Sequence, residues 1–236
     1  MLDPVTASRS IDSHAILARR SAGAAGGTDS LPDLLLIERS RAGEEAAIEA
    51  LIRRYARRLF RVANSVIADT VRADAIVQES YLAAFGDLTR YEPTGKFAAW
   101  LTRLTYQHAR LQRSGVRSGA TASAATPEGG TADAALRVEL ERRIGALPEV
   151  FRTVFVLRVL EGISGIETAA SLGVHETTVR TRLYRAHRRL DEETVRRVRA
   201  EPSLLDLSPA RLEHLVRGVL AHLPRAAVHS GSAPPP

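Results

Sequence analysis

Apolar residues recur at every third or fourth position along several stretches of the chain, and this spacing predicts amphipathic helices. A short helix is predicted at about 33–42, and Gly43 separates it from a longer one. One face of the longer helix is formed by Ile48, Leu51, Ile52, Tyr55, Leu59, Val62 and Val66. A third helix is predicted at about 72–85 and a fourth at about 97–113. No alternating strand pattern and no internal repeat is present, so we expect an all-α fold.

Stretches with few large apolar residues divide the chain. Residues 1–30 are rich in Ala, Ser and Gly, which favours a disordered N-terminal tail. Residues 114–135, SGVRSGATASAATPEGGTADAA, have the composition of a flexible linker. We therefore expect two small helical domains, at residues 31–113 and 136–200. Residues 201–236 are expected to contain a short C-terminal amphipathic helix, at 208–222, and a disordered tail.

The second domain has the pattern of a helix-turn-helix motif. An amphipathic helix at about 136–147 and a very apolar helix, EVFRTVFVLRVLEG, come first. A short helix at 164–172, a turn at Gly173 and a long helix from about residue 176 follow. Ser164 and Glu167 have the spacing of a capping box at the start of the short helix.

The long helix has two contrasting faces. Val179 and Leu183 would hold it on its domain, whereas the opposite face carries hydroxyl groups and arginines. Such a face fits the major groove of DNA, where the first residues of the helix reach base edges and later arginines reach phosphates. The alternative is a solvated basic helix without a ligand. The candidate DNA-binding residues are Thr177, Thr178, Arg180, Thr181, Arg182, Tyr184, Arg185 and Arg188.

The charge of the chain agrees with a nucleic-acid partner. Its formal net charge is +6, and all 33 basic residues except Lys96 are arginine. The guanidinium group is a planar fork that suits phosphates and base edges, and basic proteins most often bind polyanions. Because a basic protein can also be merely soluble, the motif carries more weight than the charge.

Other classes of protein find little support. The absence of cysteine excludes disulfides and thiolate metal sites. No apolar run of about 18 residues exists, so we expect no membrane insertion, and without an export signal we expect a cytoplasmic protein. No phosphate-binding loop and no His-Glu-x-x-His motif occurs, and no Ser/His/Asp geometry can be argued. We therefore expect no enzyme, no cofactor, no metal site and no small-molecule substrate.

Two parts of the chain resemble a known family. The stretch LPEVFRTVFVLRVLEGISGIETAASLGVHETTVRTRLYRAHRRL resembles the fourth conserved region of bacterial sigma factors. The stretches AGEEAAIEALIRRYARRLFRVANSVI, ADAIVQESYLAAF and GKFAAWLTRL are similar to the second. Nothing resembles a first or third region, which matches the extracytoplasmic-function (ECF) group. The resemblance covers roughly residues 34–199, and RLEHLVRGVLAHL is similar to a short C-terminal helix found in some members.

The resemblance implies that the third helix docks on the clamp helices of core RNA polymerase. The residues expected at that contact are Asp74, Gln78, Glu79, Leu82 and Phe85. The alternative is that Ile76, Val77, Tyr81 and Phe85 are plain core and that Gln78 and Glu79 are merely solvated.

The resemblance also implies two contacts with promoter DNA. The loop LTRYEPTGK and the fourth helix would read the minus-ten element, and the second domain would read the minus-thirty-five element. The minus-ten candidates are Arg90, Tyr91, Lys96, Arg103, Arg110 and Arg113, whereas Phe97 and Trp100 are expected to pack in the core.

The implied function is that of a sigma factor, which binds core RNA polymerase and directs promoter-specific transcription initiation. Its partners would be the polymerase, promoter DNA and an anti-sigma factor, such as commonly binds members of the group. One alternative is an autonomous helix-turn-helix transcription regulator. Another is an adaptor that sequesters polymerase, although an adaptor would not need groove-facing threonines.

Overall fold

The computed structural model describes residue 28 and residues 30–92, 96–115 and 132–223. This part of the chain contains ten α-helices and no strand, which confirms the all-α fold. Most of the N-terminal tail predicted at 1–30, residues 116–131 of the predicted linker and the predicted tail after residue 223 lie outside the described residues. The division into domains at 31–113 and 136–200 therefore stays a prediction.

The helices fall into two groups and a C-terminal element. We call α1–α4 the first helical unit and α5–α9 the second. The helices are α1 (Asp33–Arg41), α2 (Glu45–Ile67), α3 (Thr70–Gly86), α4 (Phe97–Gly115), α5 (Ala132–Gly145), α6 (Glu149–Phe155, extended by a π-helical turn at Val156–Leu160), α7 (Gly165–Leu172), α8 (Glu176–His187), α9 (Glu192–Ala200) and α10 (Pro209–His222). Short 3₁₀ turns at Leu88–Arg90 and Pro202–Leu205 precede α4 and α10.

The central helix of the first unit is α2, and α1, α3 and α4 pack around it. The apolar face predicted for α2 is buried along its whole length, with Leu51, Ile52 and Leu59 fully inaccessible. The fully buried Tyr81 on α3 donates its hydroxyl to the carbonyl of Ile52 over 2.8 Å. A buried hydroxyl requires such an acceptor, because leaving it unpaired costs free energy.

In the second unit, α6 is covered on both sides. Val154 and Leu157 belong to the same apolar core as the first unit, whereas Phe155 packs in a smaller core with residues of α5, α8 and α9. A helix that is apolar all round has to be buried all round. α6 lies between the two cores and contributes side chains to both, so it connects the two helical units.

The expected long helix from about residue 176 is divided in two. α8 ends at His187, and Asp191 starts α9 by accepting a hydrogen bond from the Thr194 amide over 2.8 Å. An aspartate at this position satisfies an amide that the first turn of a helix leaves unpaired. The break lets α9 turn back onto α5, where Leu140, Val195 and Val198 share one core.

Arg61 connects the two units. Its side chain and that of Glu161 are each 5% exposed, and they are paired at 2.6 Å. The same guanidinium donates to Asp206 at 2.5 Å and to the carbonyl of Pro202 at 2.7 Å, both in the segment that leads to α10. Nearby, the hydroxyls of Ser65 and Thr153 are hydrogen-bonded across the interface at 2.9 Å. The first unit, the second unit and the C-terminal segment thus meet at one buried cation.

We expect Arg61→Ala to lower the free energy of unfolding by about 3 kcal/mol, because Glu161 would stay buried with only the more distant Arg58, at 3.8 Å, as a partner. Urea denaturation followed by circular dichroism measures this loss. The matched control is Arg57→Ala, on the same helix, because Arg57 is 56% exposed and pairs with the same Asp206 at 3.6 Å. An exposed pair contributes at most about 1 kcal/mol. Equal losses in the two variants would contradict the role given to Arg61.

Candidate nucleic-acid interface

The helix-turn-helix motif is positioned by its caps and by a narrow apolar seam. The hydroxyl of Ser164 accepts a hydrogen bond from the Glu167 amide over 3.1 Å, as the capping spacing predicts. α7 ends at Gly173, whose φ of +65° is a conformation that glycine adopts without strain. Val179 and Ala186 are buried and hold α8 on the domain. The rest of α8 is left to face outward.

An open groove of about 420 Å³ lies between the start of α6 and the outward face of α8. Five of the eight residues predicted to bind DNA line it together, namely Thr177, Thr178, Thr181, Arg182 and Arg185. The opposite wall is formed by Val150 and Phe151 of α6. The groove therefore combines hydroxyl groups, two guanidinium groups and an apolar wall.

The other three candidates on α8 lie beside the groove. Arg180, Tyr184 and Arg188 are exposed, and Tyr184 is 61% accessible to solvent. The guanidinium of Arg188 donates to the Tyr184 hydroxyl over 3.4 Å, which links two side chains one helical turn apart. Six of the eight candidates are exposed, whereas Thr178 and Arg182 are half-buried.

Arginines of α4 lie close to this surface although they belong to the first unit. Arg103, Arg110 and Arg113 are exposed, and Arg113 forms an ion pair with Glu149 at the start of α6. Burial and the carboxylate of Glu149 raise the pKa of Tyr106, while the charges of Arg110 and Arg182 oppose that rise. The guanidinium of Arg110 lies over the Tyr106 ring, 5.8 Å from its centroid, and the Arg113 pair brings this end of α4 to the start of α6.

The loop before α4 contains one exposed candidate and one buried one. Arg90 is exposed, as is Lys96 at the start of α4. Tyr91 is 9% exposed and packs against Phe97 and Trp100, with ring centroids 5.4 and 4.9 Å apart. The prediction that Tyr91 faces the minus-ten DNA is therefore corrected, because its ring is part of the aromatic core behind the loop. The core positions expected for Phe97 and Trp100 agree with this cluster.

The candidates on α3 divide between surface and core. Glu79 is exposed, and Asp74, Gln78 and Leu82 are half-buried. Phe85 is 8% exposed and stacks on Tyr81 with centroids 5.9 Å apart, so its expected place at a protein contact is corrected to the core. The alternative interpretation of Phe85 as plain core was the right one, and Ile76, Val77 and Tyr81 are buried as well.

Phe151 is a groove residue that sequence reasoning missed. Its ring lines the groove and also carries the guanidinium of Arg189 at 5.3 Å from the centroid. In the sequence it lies within a strongly apolar helix, where a core position is the natural expectation. Only the packing of α6 beside α8 places Phe151 in the same groove as the predicted DNA-binding residues.

Two other kinds of site are absent from the described ranges. Among those residues, no group of three or more His, Cys, Asp or Glu side chains has an arrangement that could bind a metal ion. No described helix has the length and apolarity needed to cross a bilayer.

Comparison with known proteins shows which family has similar sequences. The family model described as "Sigma-70 region 2" matches residues 51–113, and "Sigma-70, region 4" matches residues 137–190. The ECF RNA polymerase sigma factor SigE of Mycolicibacterium smegmatis is 31% identical over 162 residues, which cover 63% of this chain and 63% of SigE. The ECF RNA polymerase sigma-E factor of Escherichia coli is 28% identical over 184 residues, covering 70% of this chain and 96% of that protein.

The chain belongs to the extracytoplasmic-function family of bacterial sigma factors. The solved structure of CnrH in complex with the cytosolic domain of CnrY is similar to this sigma factor, with a TM-score of 0.53 and 26% identity. The match covers 67% of this chain and 94% of CnrH. The two family matches fall on the first and second helical units, which hold the two sets of candidate residues. Sigma factors are not known as enzymes.

We expect Ser164→Ala to destabilise this sigma factor by about 1 kcal/mol, because the Glu167 amide at the start of α7 would lose its acceptor. The shift of the urea midpoint measures the effect. Ser164→Asp is the matched control, since a carboxylate accepts the same hydrogen bond and should keep the stability close to that of the unchanged protein. If the aspartate variant lost as much as the alanine variant, the cap would not be the cause.

Proposed function

We propose that the chain binds core RNA polymerase through α3 and directs it to promoters by two contacts with DNA. α8 reads the minus-thirty-five element, and α4 with the loop before it reads the minus-ten element. The observation that carries this proposal is the groove beside α8, since five of the predicted DNA-binding residues converge on it.

The chemistry of the groove suits the edges of base pairs. Threonine hydroxyls donate and accept hydrogen bonds, and a guanidinium donates two parallel bonds to the acceptors of guanine. Arg182 and Arg185 lie in the groove and serve this role, while Arg180 and Arg188 on its flank are placed to contact phosphates. Phe151 offers an apolar surface, which suits the methyl group of thymine.

The surface of α4 suits a nucleic-acid strand in a different way. Lys96, Arg103 and Arg110 are exposed along one helix, and such a basic track binds the phosphates of an opened strand. Arg90 and Arg113 extend it at the two ends. We propose no base stacking by Tyr91, because its ring lies in the core.

Asp74, Gln78, Glu79 and Leu82 form the proposed polymerase contact on α3. Glu79 is exposed, and Asp74, Gln78 and Leu82 are half-buried, so each of the four side chains keeps some accessible surface. A small apolar centre at Leu82 with a polar rim is typical of the surfaces that transient protein complexes use.

Further partners and the place of action follow from this function. The structure of CnrH holds the cytosolic domain of CnrY, and by analogy we propose an anti-sigma factor as a regulator of this chain. Core polymerase and promoters lie in the bacterial cytoplasm, so the protein would act there. The proposed function needs no catalytic residue and no cofactor of its own.

Reconstituted transcription tests the proposal. Mixed with bacterial core RNA polymerase and a promoter library, the protein should support initiation from a defined subset of promoters that are silent without it. Sequencing of the transcripts would then give both promoter elements. Binding to duplex DNA without any association with core polymerase would instead favour the autonomous regulator.

We expect Arg180→Ala and Arg185→Ala each to weaken promoter binding, by about 1–3 kcal/mol where a base contact is lost. For a phosphate contact the slope of log affinity against log salt should fall by about 1. Fluorescence anisotropy of a labelled promoter fragment, titrated at several salt concentrations, measures both quantities. Arg142→Ala is the matched control, since Arg142 is 66% exposed on α5 and pairs with Glu139 away from the groove. A control that lost as much affinity as the two variants would show that only total charge matters.

A further inference from the structure

The C-terminal helix α10 is bound to the first helical unit, not to the second unit that precedes it. Leu215, Val216 and Val219 are buried, with Val219 fully inaccessible, and they belong to the apolar core of the first unit. α10 packs against α2 and α3. It therefore covers part of the helix that carries the proposed polymerase contact.

The charged residues of α10 fix where it binds. Glu213 accepts two hydrogen bonds from the guanidinium of Arg53 on α2, at 2.6 and 3.0 Å. Arg211 pairs with Asp74 on α3 at 3.0 Å and lies over the ring of Phe60 at 5.1 Å. Burial raises the pKa of the Asp74 carboxyl, and the charges of Arg211 and His214 oppose that rise. Asp74 is thus half-buried and paired with α10.

A second polymerase candidate, Gln78, is in direct contact with the same helix. A Cβ atom on Gly218 would lie 3.1 Å from Nε2 and 3.3 Å from Cδ of Gln78, so α10 approaches α3 closely where it has no side chain. The Gln78 amide is also 3.3 Å from Nδ1 of His222. Two of the four remaining candidates for polymerase binding are therefore in contact with α10.

We propose that α10 is an inhibitory element that competes with core RNA polymerase for the face formed by Asp74 and Gln78. This inference rests on the proposed function of α3. One surface cannot hold α10 and a clamp helix at the same time, so the chain binds polymerase only when α10 leaves. The segment before α10 contributes Asp206 to the Arg61 cluster, which keeps the helix next to its site.

The expected gain in affinity for polymerase follows from the fraction of chains in which α10 has left α3. A conformation populated at about 0.1–10% reduces the apparent affinity of its ligand by about 10- to 1000-fold. Variants that release α10 should therefore bind polymerase at least ~10-fold more tightly than the unchanged chain.

A charge swap in the full-length chain tests the inference. Glu213→Arg and Arg53→Glu each place like charges opposite one another and should each raise the affinity for core polymerase. The double variant Arg53→Glu/Glu213→Arg restores the pair and should return the affinity towards that of the unchanged chain. Because the two single changes alter net charge in opposite directions, a common increase cannot come from charge alone. Arg53 and Glu213 lie outside the residues proposed to contact polymerase.

Val219→Glu is a second variant, which places a charge in the apolar seam of α10 and should raise the affinity further. Affinity is measured by anisotropy of the labelled protein titrated with core polymerase, and hydrogen exchange of the α10 amides reports release of the helix directly. If the unchanged chain supports transcription and every variant binds polymerase as tightly as the unchanged chain does, the inhibitory role is overturned. The proposed sigma activity then stands. If no version binds polymerase, the proposed function fails and the inhibitory role fails with it.

Discussion

The arrangement of the whole chain depends on the guanidinium group of Arg61. Its donors reach Glu161 before α7, Asp206 before α10 and the carbonyls of Pro202 and Leu205. Only a planar fork with several fixed donors can serve so many acceptors at once, and a lysine could not replace it. The buried Glu161 and the half-buried Asp206 gain a cationic partner, and the buried cation gains the acceptors it needs. As a consequence, the docking of the second unit and the docking of α10 are coupled, since both use one side chain of α2.

This closed arrangement also brings together surfaces that the proposed function uses separately. α4 packs against α7, and the guanidinium of Arg103 lies 3.6 Å from where a Cβ of Gly173 would be. A minus-ten candidate thus lies beside the turn of the minus-thirty-five motif. Two DNA elements that are distant along a promoter cannot both be read from such positions. Under the proposed function, promoter binding therefore requires the two units to move apart.

Local structure was predictable from the sequence, and the contacts between its parts were not. The apolar face of α2 and the cap at Ser164 follow from spacing rules that involve only nearby residues. The long helix expected from about residue 176 overlooked the break at Leu190, after which Asp191 caps the start of α9. Arg61 lies within an arginine-rich stretch, and nothing local distinguishes it from its exposed neighbour Arg57. Phe85 and Tyr91 were assigned to surfaces because their roles came from a family resemblance, whereas their burial depends on Tyr81 and Trp100 packing against them.

The side chains of α6 are buried in two cores, and this would limit how long the two units could stay apart in solution. Val154 and Leu157 are fully buried against the first unit, so separation of the units would expose an apolar strip to water. Surfaces of this kind promote association with whatever apolar surface is nearby. A chain whose two units separate in solution would tend to aggregate unless a partner covers that strip. The free protein should therefore stay in solution longer, the less often its two helical units separate before a partner binds.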